Sequence, residues 1–491
     1  VSTELYDRAN QLIASVDVLG NRTSQAYDAV GNRTATRDAR GNVTGFEYDA
    51  LNQRLAVADA NGNRTSSSYD PRGLVSAVWD PLGAVTSYAY DAVANRIARR
   101  DGRGVLTAYT PDALGRTRRV DYSDAPTTPV EYDFDPWFQD FYEQVTRKAA
   151  KAMRVRQPAL ILQVEPAPGI EATAASLISD KDVVLNLASG VYGKGFGYWS
   201  ARYHKEMVEI EVPFNESIDP ADVKAAFRKR PDIKVVSLVH HDTPSGTINP
   251  AREIGRIVRD HDALLIVDAV SSFGGMDIHP DDCHADVFIT GPGKCLGGAP
   301  GLTLMAVSDR AWKHIKKNKK APFASVLSLT DWKDAWSKNK PFPFTPSIAE
   351  INGLYAALDL YLAKGPENVW HRHALTAKAT RAGIKAMGLS LWAKSEAIAS
   401  PSCTAVKVPD GVKDSDIIAA ARAQYGVVFS SGRGETKGKL IRIGHMGPVA
   451  EPIYATVAVT AFGGALRKLG RRIDVGAGVE AALAVIAAGK K

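Results

Sequence analysis

Two architectures are expected in this one chain. The first is an all-β array of short hairpins over 1–122; the second is an α/β fold with a mainly parallel sheet and a smaller αβ portion at its end. Three observations carry this expectation. Asp7, Asp28, Asp49, Asp70, Asp91 and Asp112 recur every 21 residues in the first part, the mark of a repeat architecture. From Asp133 onward, β-branched runs alternate with helix-length segments, which argues for parallel strands with crossover helices. No lysine occurs before Lys148, whereas lysine is common after it; such a change of composition marks a domain seam.

The repeat holds several residues in phase. Gly20, Gly41, Gly62, Gly83 and Gly104 share the period, as do Thr23, Thr44, Thr65, Thr86 and Thr107, and a tyrosine precedes each of the first five aspartates. Segments such as Thr44-Gly45-Phe46-Glu47-Tyr48 alternate as half-buried strands do, and Gly-Asn-Arg-Thr tips supply residues that tolerate positive φ. Each hairpin needs neighbours to bury a face. Histidine, cysteine and carboxylates do not group here, so this part is expected to carry no chemistry. The linker is placed at 123–132, centred on Ser123-Asp124-Ala125-Pro126-Thr127-Thr128-Pro129.

Beyond the linker, Phe134–Met153 has apolar residues at helical spacing. Strands are expected at Val183–Leu187, Met207–Val212, Val235–Val239, Leu264–Val267, Asp286–Thr290 and Leu302–Val307. Together with their helices they form a large domain over 133–373. A small domain over 374–491 carries strands near Thr404–Val408 and Leu440–Ile443. With 45% apolar and 23% charged residues the chain is globular rather than disordered. Its net charge of +7 is too thinly spread for a nucleic-acid footprint. No apolar run suits a membrane span and no apolar leader is visible; the absence of an initiating Met suggests a fragment. Three cysteines are too few and too odd in number for a disulfide framework, so the second part suits a reducing compartment.

In open parallel sheets, chemistry sits just past the carboxyl ends of the strands. Asp268 ends the apolar run Leu264–Val267, and a carboxylate there is costly unless a cation meets it. Lys294 lies in Thr290-Gly291-Pro292-Gly293-Lys294-Cys295-Leu296-Gly297-Gly298, whose small residues let a planar ligand approach the amine. A Schiff-base lysine and an aspartate that keeps a pyridine nitrogen protonated are what a pyridine-aldehyde enzyme requires. The alternatives are a structural ion pair for Asp268 and a surface amine for Lys294.

The repeats resemble the YD repeats of Rhs proteins, whose many units wind into a β-shell around a toxin or effector; the few units here are too few to close one. The stretch His240-His241-Asp242-Thr243-Pro244-Ser245-Gly246-Thr247-Ile248-Asn249-Pro250 and the segment Arg442-Ile443-Gly444-His445-Met446-Gly447, with Lys294 and Asp268, resemble class V aminotransferases of fold type I. Over about 133–488 the chain is most similar to the branch of that family that acts on free vitamin B6.

That resemblance implies the roles. Lys294 is the Schiff-base lysine and Asp268 the partner of the pyridine nitrogen. Tyr192 stacks on the ring, Thr243 bonds its phenolic oxygen, and Arg442 and Arg433 bind the carboxylate of alanine or pyruvate. Core packing for Tyr192 and a solvated loop charge for Arg433 are the alternatives. His240 and His241 are expected to support rather than to transfer protons. Gly293 stands where the family has Asn, which is expected to loosen the turn.

Glu165 is the discriminating residue. Ordinary members hold the cofactor phosphate with a small-residue loop at a helix N-terminus. Here Val164-Glu165-Pro166-Ala167-Pro168 offers an acid and a proline without N–H. The implied reaction exchanges an amino group between pyridoxamine and pyruvate to give pyridoxal and L-alanine, in vitamin B6 degradation. No tightly bound cofactor and no metal are expected. A conventional enzyme holding pyridoxal phosphate, of the alanine– or serine–glyoxylate or pyruvate type, is one alternative; a simple helix-end charge would then explain Glu165. An Rhs-repeat surface or toxin-delivery protein is another. Neither nucleic acid nor membrane is an expected partner. A homo-oligomer, dimer or tetramer, is expected, with Lys340-Pro341-Phe342-Pro343-Phe344-Thr345-Pro346 resembling the loop that enters the neighbouring site. The resemblance implies a cytoplasmic location for the enzyme part, whereas the repeats alone would suggest export or the cell surface.

Overall fold

The computed structural model describes residues 2–112, 114–124, 130–131, 136–337 and 342–489. Its contacts divide the chain into two compact units, Val1–Asp135 and Pro136–Lys491. Most of the proposed linker (125–129), together with Lys340 and Pro341 of the loop noted above, lies outside the described residues. No helix among the described residues is long and apolar enough to cross a membrane.

The first unit is one antiparallel meander of thirteen strands in chain order. They are β1 Thr3–Tyr6, β2 Leu12–Val16, β3 Arg22–Tyr27, β4 Arg33–Arg37, β5 Val43–Tyr48, β6 Arg54–Ala58, β7 Arg64–Tyr69, β8 Val75–Trp79, β9 Val85–Tyr90, β10 Arg96–Arg100, β11 Leu106–Pro111, β12 Thr117–Tyr122 and β13 Val130–Glu131. Every 21-residue unit contains two turns. A second aspartate series, Asp17, Asp38, Asp59, Asp80 and Asp101, opens the alternate turns in the manner of the first. Asp59 is representative: its Oδ1 accepts the Asn61 and Asn63 N–H groups at 2.9 and 2.8 Å, and its Oδ2 accepts the Asn63 side-chain amide at 2.8 Å. Gly62, at φ 84°, closes that turn in the left-handed region where a side chain would strain the backbone.

The second unit is built on a seven-stranded sheet in the order β14-β22-β21-β20-β17-β15-β16. Its strands are β14 Leu160–Leu162, β15 Val183–Ser189, β16 Glu206–Val212, β17 Ile233–Val239, β20 Leu264–Asp268, β21 Val287–Thr290 and β22 Thr303–Val307; a short ribbon of β18 His241–Asp242 and β19 Thr247–Ile248 lies between β17 and β20 in sequence. The expected parallel pairing runs through β16, β15, β17, β20 and β21. β22 turns back antiparallel to β21, because the chain from Gly291 to Leu302 returns directly instead of crossing over through a helix.

Alternation sorts these strands into two apolar layers. Leu185, Val236, Leu265 and Phe288 point into one layer with Phe138 and Val145. Val184, Val235, Ile266 and Ile289 point into the other with Leu177 and Trp332. The helices of this part are α1 Pro136–Met153, α2 Pro166–Leu177, α3 Gly190–Ser200, α4 Pro220–Lys229, α5 Ala251–Asp260, α6 Asp309–Ile315, α7 Leu329–Trp332, α8 Ile348–Lys364 and α9 Pro366–Ala386. Prolines at the first helical position open several of them, where the missing N–H has no intrahelical role.

A smaller sheet, β23 Cys403–Lys407, β24 Ser430–Ser431 and β25 Leu440–Gly444, pairs in the order β23-β25-β24. Helices α10 Asp414–Tyr425, α11 Ile453–Lys468 and α12 Val475–Ala488 accompany it. Val406, Ile441, Ile443, Val459 and Phe462 form its separate core.

Candidate active site

The parallel pairing places the carboxyl ends of β15, β17, β20 and β21 on one edge of the sheet. Tyr192 follows β15, Thr243 follows β17, Asp268 ends β20 and Lys294 follows β21. Tyr192 and Asp268, on different strands' ends, thereby line one cavity.

Asp268 is buried, and its Oδ1 accepts the Val270 N–H at 2.9 Å. Burial pushes its carboxyl up to about 7; the negative charges of Asp242 and Glu165 add to this, while Lys294 opposes it. Glu165 and Lys294 therefore both act on Asp268 from the surrounding loops. Tyr192 and Asp268 line one narrow cavity with Asn186, Ser237, Phe196 and Ile289. Thr243 is buried, and Lys294 is half-buried.

Glu165 caps α2: its Oε2 accepts the Ala167 N–H at 3.2 Å, and Pro166 occupies the first helical position. The carboxylate thus already sits where that helix end would attract an anion. Pro166 also packs closely on Gly291, where a Cβ would lie 2.6 Å from its Cγ. Gly293 stands at a close approach of the lysine loop to itself. A Cβ there would come within 2.8 Å of the Pro300 Cα, so the absence of a side chain lets the lysine loop close on itself.

Arg442 lies on β25, half-buried, with its Nε donating to the Ser431 carbonyl at 2.8 Å. That bond fixes the guanidinium, and among the described residues no protein acceptor meets its two Nη nitrogens. Arg433 is exposed and precedes a short 3-10 turn, Gly434–Thr436. A Cβ on Gly434 would stand 3.5 Å from Val191, so this loop abuts the first turn of α3. Lys194 reinforces the approach, reaching Glu211 at 2.6 Å and Glu435 at 3.4 Å.

Asp242 is the residue that sequence reasoning passed over. It is fully buried, and burial raises its carboxyl. It accepts the Tyr192 N–H at 2.8 Å on Oδ1 and the Ser245 hydroxyl at 2.8 Å on Oδ2, filling the N-terminus of α3. A Cβ on Gly190 would overlap this carboxyl group, which explains the glycine there at φ 85°. Its signal was legible as an Asp followed three residues later by Ser, a turn pattern. His241 bonds the Ser271 carbonyl (2.9 Å) and the Ser402 hydroxyl (3.0 Å) through Nδ1. Burial pushes His240 down to about 3 and His241 to about 4, so neither is charged at neutral pH.

Comparison with known proteins identifies the family and the fold. The Aminotransferase class-V family model matches residues 198–445. The RHS Repeat model matches 6–43, 27–64 and 69–105. The pyridoxamine–pyruvate transaminase of Mesorhizobium japonicum is 65% identical over 357 residues, covering 73% of this chain and 91% of that protein. The L-aspartate–glyoxylate aminotransferase of Paracoccus denitrificans is 31% identical over 319 residues, covering 64% and 79%. The crystal structure of pyridoxamine–pyruvate aminotransferase from Mesorhizobium loti superposes with a TM-score of 0.72 at 65% identity, over 73% of this chain and 92% of that one. Ureidoglycine–glyoxylate aminotransferase from Bacillus subtilis gives 0.69 at 29% identity, over 74% and 93%. The second unit has the fold of type I aminotransferases, preceded by Rhs repeats, and the chain belongs to the class-V aminotransferase family.

Proposed function

We propose that this chain exchanges an amino group between pyridoxamine and pyruvate, giving pyridoxal and L-alanine, with the vitamin as a substrate and not a resident cofactor. The observation that carries this reading is the 65% identity, over 91% of its length, to an enzyme named for this reaction; the carboxylate of Glu165 at the start of α2 adds a reason for it. A 5′-phosphate at that helix end would meet the exposed Glu165 carboxylate, and two like charges about 4 Å apart repel. A neutral hydroxymethyl group would instead donate a hydrogen bond to Glu165.

The remaining roles are those that the family resemblance gives to these side chains. When bound, the pyridine aldehyde supplies an electron sink for the bond broken at the amino-acid Cα. Lys294 forms and releases the covalent link to the substrate aldehyde, and its freed amine carries the proton between Cα and the ring's exocyclic carbon. Asp268 faces the ring nitrogen; a pyridinium beside it draws its carboxyl back down from about 7 and holds the proton on the ring. Tyr192 covers one ring face, and Thr243 donates to the phenolic oxygen. Arg442, its Nε already anchored, offers its Nη pair to the substrate carboxylate, and Arg433 adds a second positive charge. His240 and His241, kept neutral by burial, hold the loops. The chain works as a homo-oligomer in a reducing, cytoplasmic setting, where Cys283, Cys295 and Cys403 stay as free thiols.

Borohydride reduction in the presence of pyridoxal, followed by peptide mass spectrometry, tests the proposal. The expected adduct is on Lys294, the purified protein is colourless, and Lys294→Ala removes both the adduct and turnover with alanine. A yellow protein purified with firmly held pyridoxal phosphate would instead make this a conventional member of the family.

A further inference from the structure

The segment between β20 and β21 carries Asp277, His279 and Asp282 within six residues. It packs closely on α5, where a Cβ on Gly255 would overlap the Cys283 carbonyl. Its turns bring one donor atom from each of the three side chains within 4.8 Å of the other two. Among the described residues no other group of three or more histidine, cysteine and carboxylate side chains converges in this way.

His279 sets this cluster apart from a surface network of ion pairs. It is 4% exposed, yet neither of its ring nitrogens has a hydrogen-bond partner. Its Nε2 stands 3.1 Å from the Asp277 Oδ1, but the two atoms are not aligned as donor and acceptor. Two ligands of one tetrahedral ion, each about 2.0–2.1 Å from it, lie about 3.3 Å apart and point at the ion instead of at each other. Burial holds the imidazole below the ordinary histidine range, so at neutral pH it keeps a lone pair for a ligand. The carboxylates are braced from their far side. Arg252, on α5, donates through Nη2 to the Asp277 Oδ2 at 3.0 Å and to the Asp282 Oδ2 at 3.2 Å, which leaves the second oxygen of each for a further cation. Both aspartates are about half exposed, so an ion enters from solvent onto a buried imidazole floor. A mixed nitrogen and oxygen donor set suits zinc and its neighbours, whereas magnesium and calcium take oxygen ligands.

We propose that Asp277, His279 and Asp282 form a binding site for one divalent transition-metal ion of the zinc type, with water completing its coordination. This departs from the expectation that the chain holds no metal, and it is independent of the transaminase reading. The His279 Nδ1 lacks the acceptor that usually orients a ligating histidine, a brace worth about 10–100-fold in affinity. Binding in the micromolar range is therefore expected, weaker than in closed structural zinc sites.

Isothermal titration with zinc chloride tests it, on the full chain stripped of metal by a chelator and free of any affinity tag. Saturation at one ion per chain is expected. Asp282→Asn should weaken binding about tenfold, and His279→Ala at least as much. His284→Asn, which removes the nearby histidine outside the cluster, should leave binding unchanged. Because loss of a buried histidine can prevent folding, cobalt gives a second readout. Its visible absorption bands should appear on addition to the unaltered chain and shrink in Asp282→Asn, a change at a half-exposed residue. No saturable zinc binding at millimolar concentration would overturn the proposal. So would zinc binding that Asp282→Asn leaves at full strength, which would place the ion elsewhere on the chain.

Discussion

The two units use the same side chain in opposite ways. In the hairpin array, aspartate is surrounded by donors and water. The Asn21 side-chain amide holds the Asp17 carboxyl below its ordinary range, and Asn63 does the same for Asp59. In the aminotransferase unit, burial raises Asp268 to about 7 and raises Asp242 as well. One aspartate set closes turns and holds its charge easily. The other is kept in a dry site against the cost of its charge, where it gains a function only when a cation arrives. Repetition serves the first purpose, since every turn needs the same acceptor; the second purpose needs one residue at one strand tip.

Breaking the buried carboxylate should give the largest effect. Asp268→Asn is expected to lower kcat for transamination on the order of 10²–10³-fold, as losing a preorganised charge partner does, while raising the melting temperature of the ligand-free protein. A variant that lost activity without gaining stability would show that the site does not strain this group. Glu165→Ala comes next: pyridoxal binding should weaken about tenfold or more, and pyridoxal phosphate should bind better by a similar factor. Equilibrium titration of both vitamers measures this, and a variant that changes neither affinity removes the specificity argument.

Acidity separates the two units without mutation. A carboxyl raised from 3.8 to about 7 on folding holds its proton in the native state while the unfolded chain has lost it. Stability from Asp268 is therefore greatest below about pH 4 and falls as pH rises toward 7. The array's lowered carboxyls run the other way: their contribution is present above the unfolded value of 3.8 and is lost as pH falls through the lower folded values. Local hydrogen exchange between neutral and mildly acidic pH should thus show the ligand-free Asp268 region gaining protection while the array turns keep theirs. Asp59→Ala should have the smallest effect, loosening one turn in the manner of a lost cap and leaving transamination unchanged.

Much of this molecule was legible beforehand because its signals are local. The 21-residue period, the strand runs ending at Asp268 and before Lys294, and the helix from the mid-130s all depend on neighbours in sequence. The Gly-Asn-Arg-Thr turns were legible, but the aspartates that open them, such as Asp17 and Asp59, were not singled out, because each stands three residues before its glycine, directly after the preceding strand. Asp242 was missed for a different reason. Its partner Tyr192 is fifty positions away, and nothing in either segment announces that a helix end needs a buried acid.

The sequence by itself determined the two architectures, the strand order of chemistry-bearing loops and the residue types in them, because hydrophobic period and turn residues act over a few positions. The tertiary structure alone decided that Asp242 fills the end of α3 and that Glu165 and Lys294 both act on the charge of Asp268. Such assignments depend on which helix end and which carboxylate meet across the sheet, a matter of distance in space that no spacing along the chain encodes.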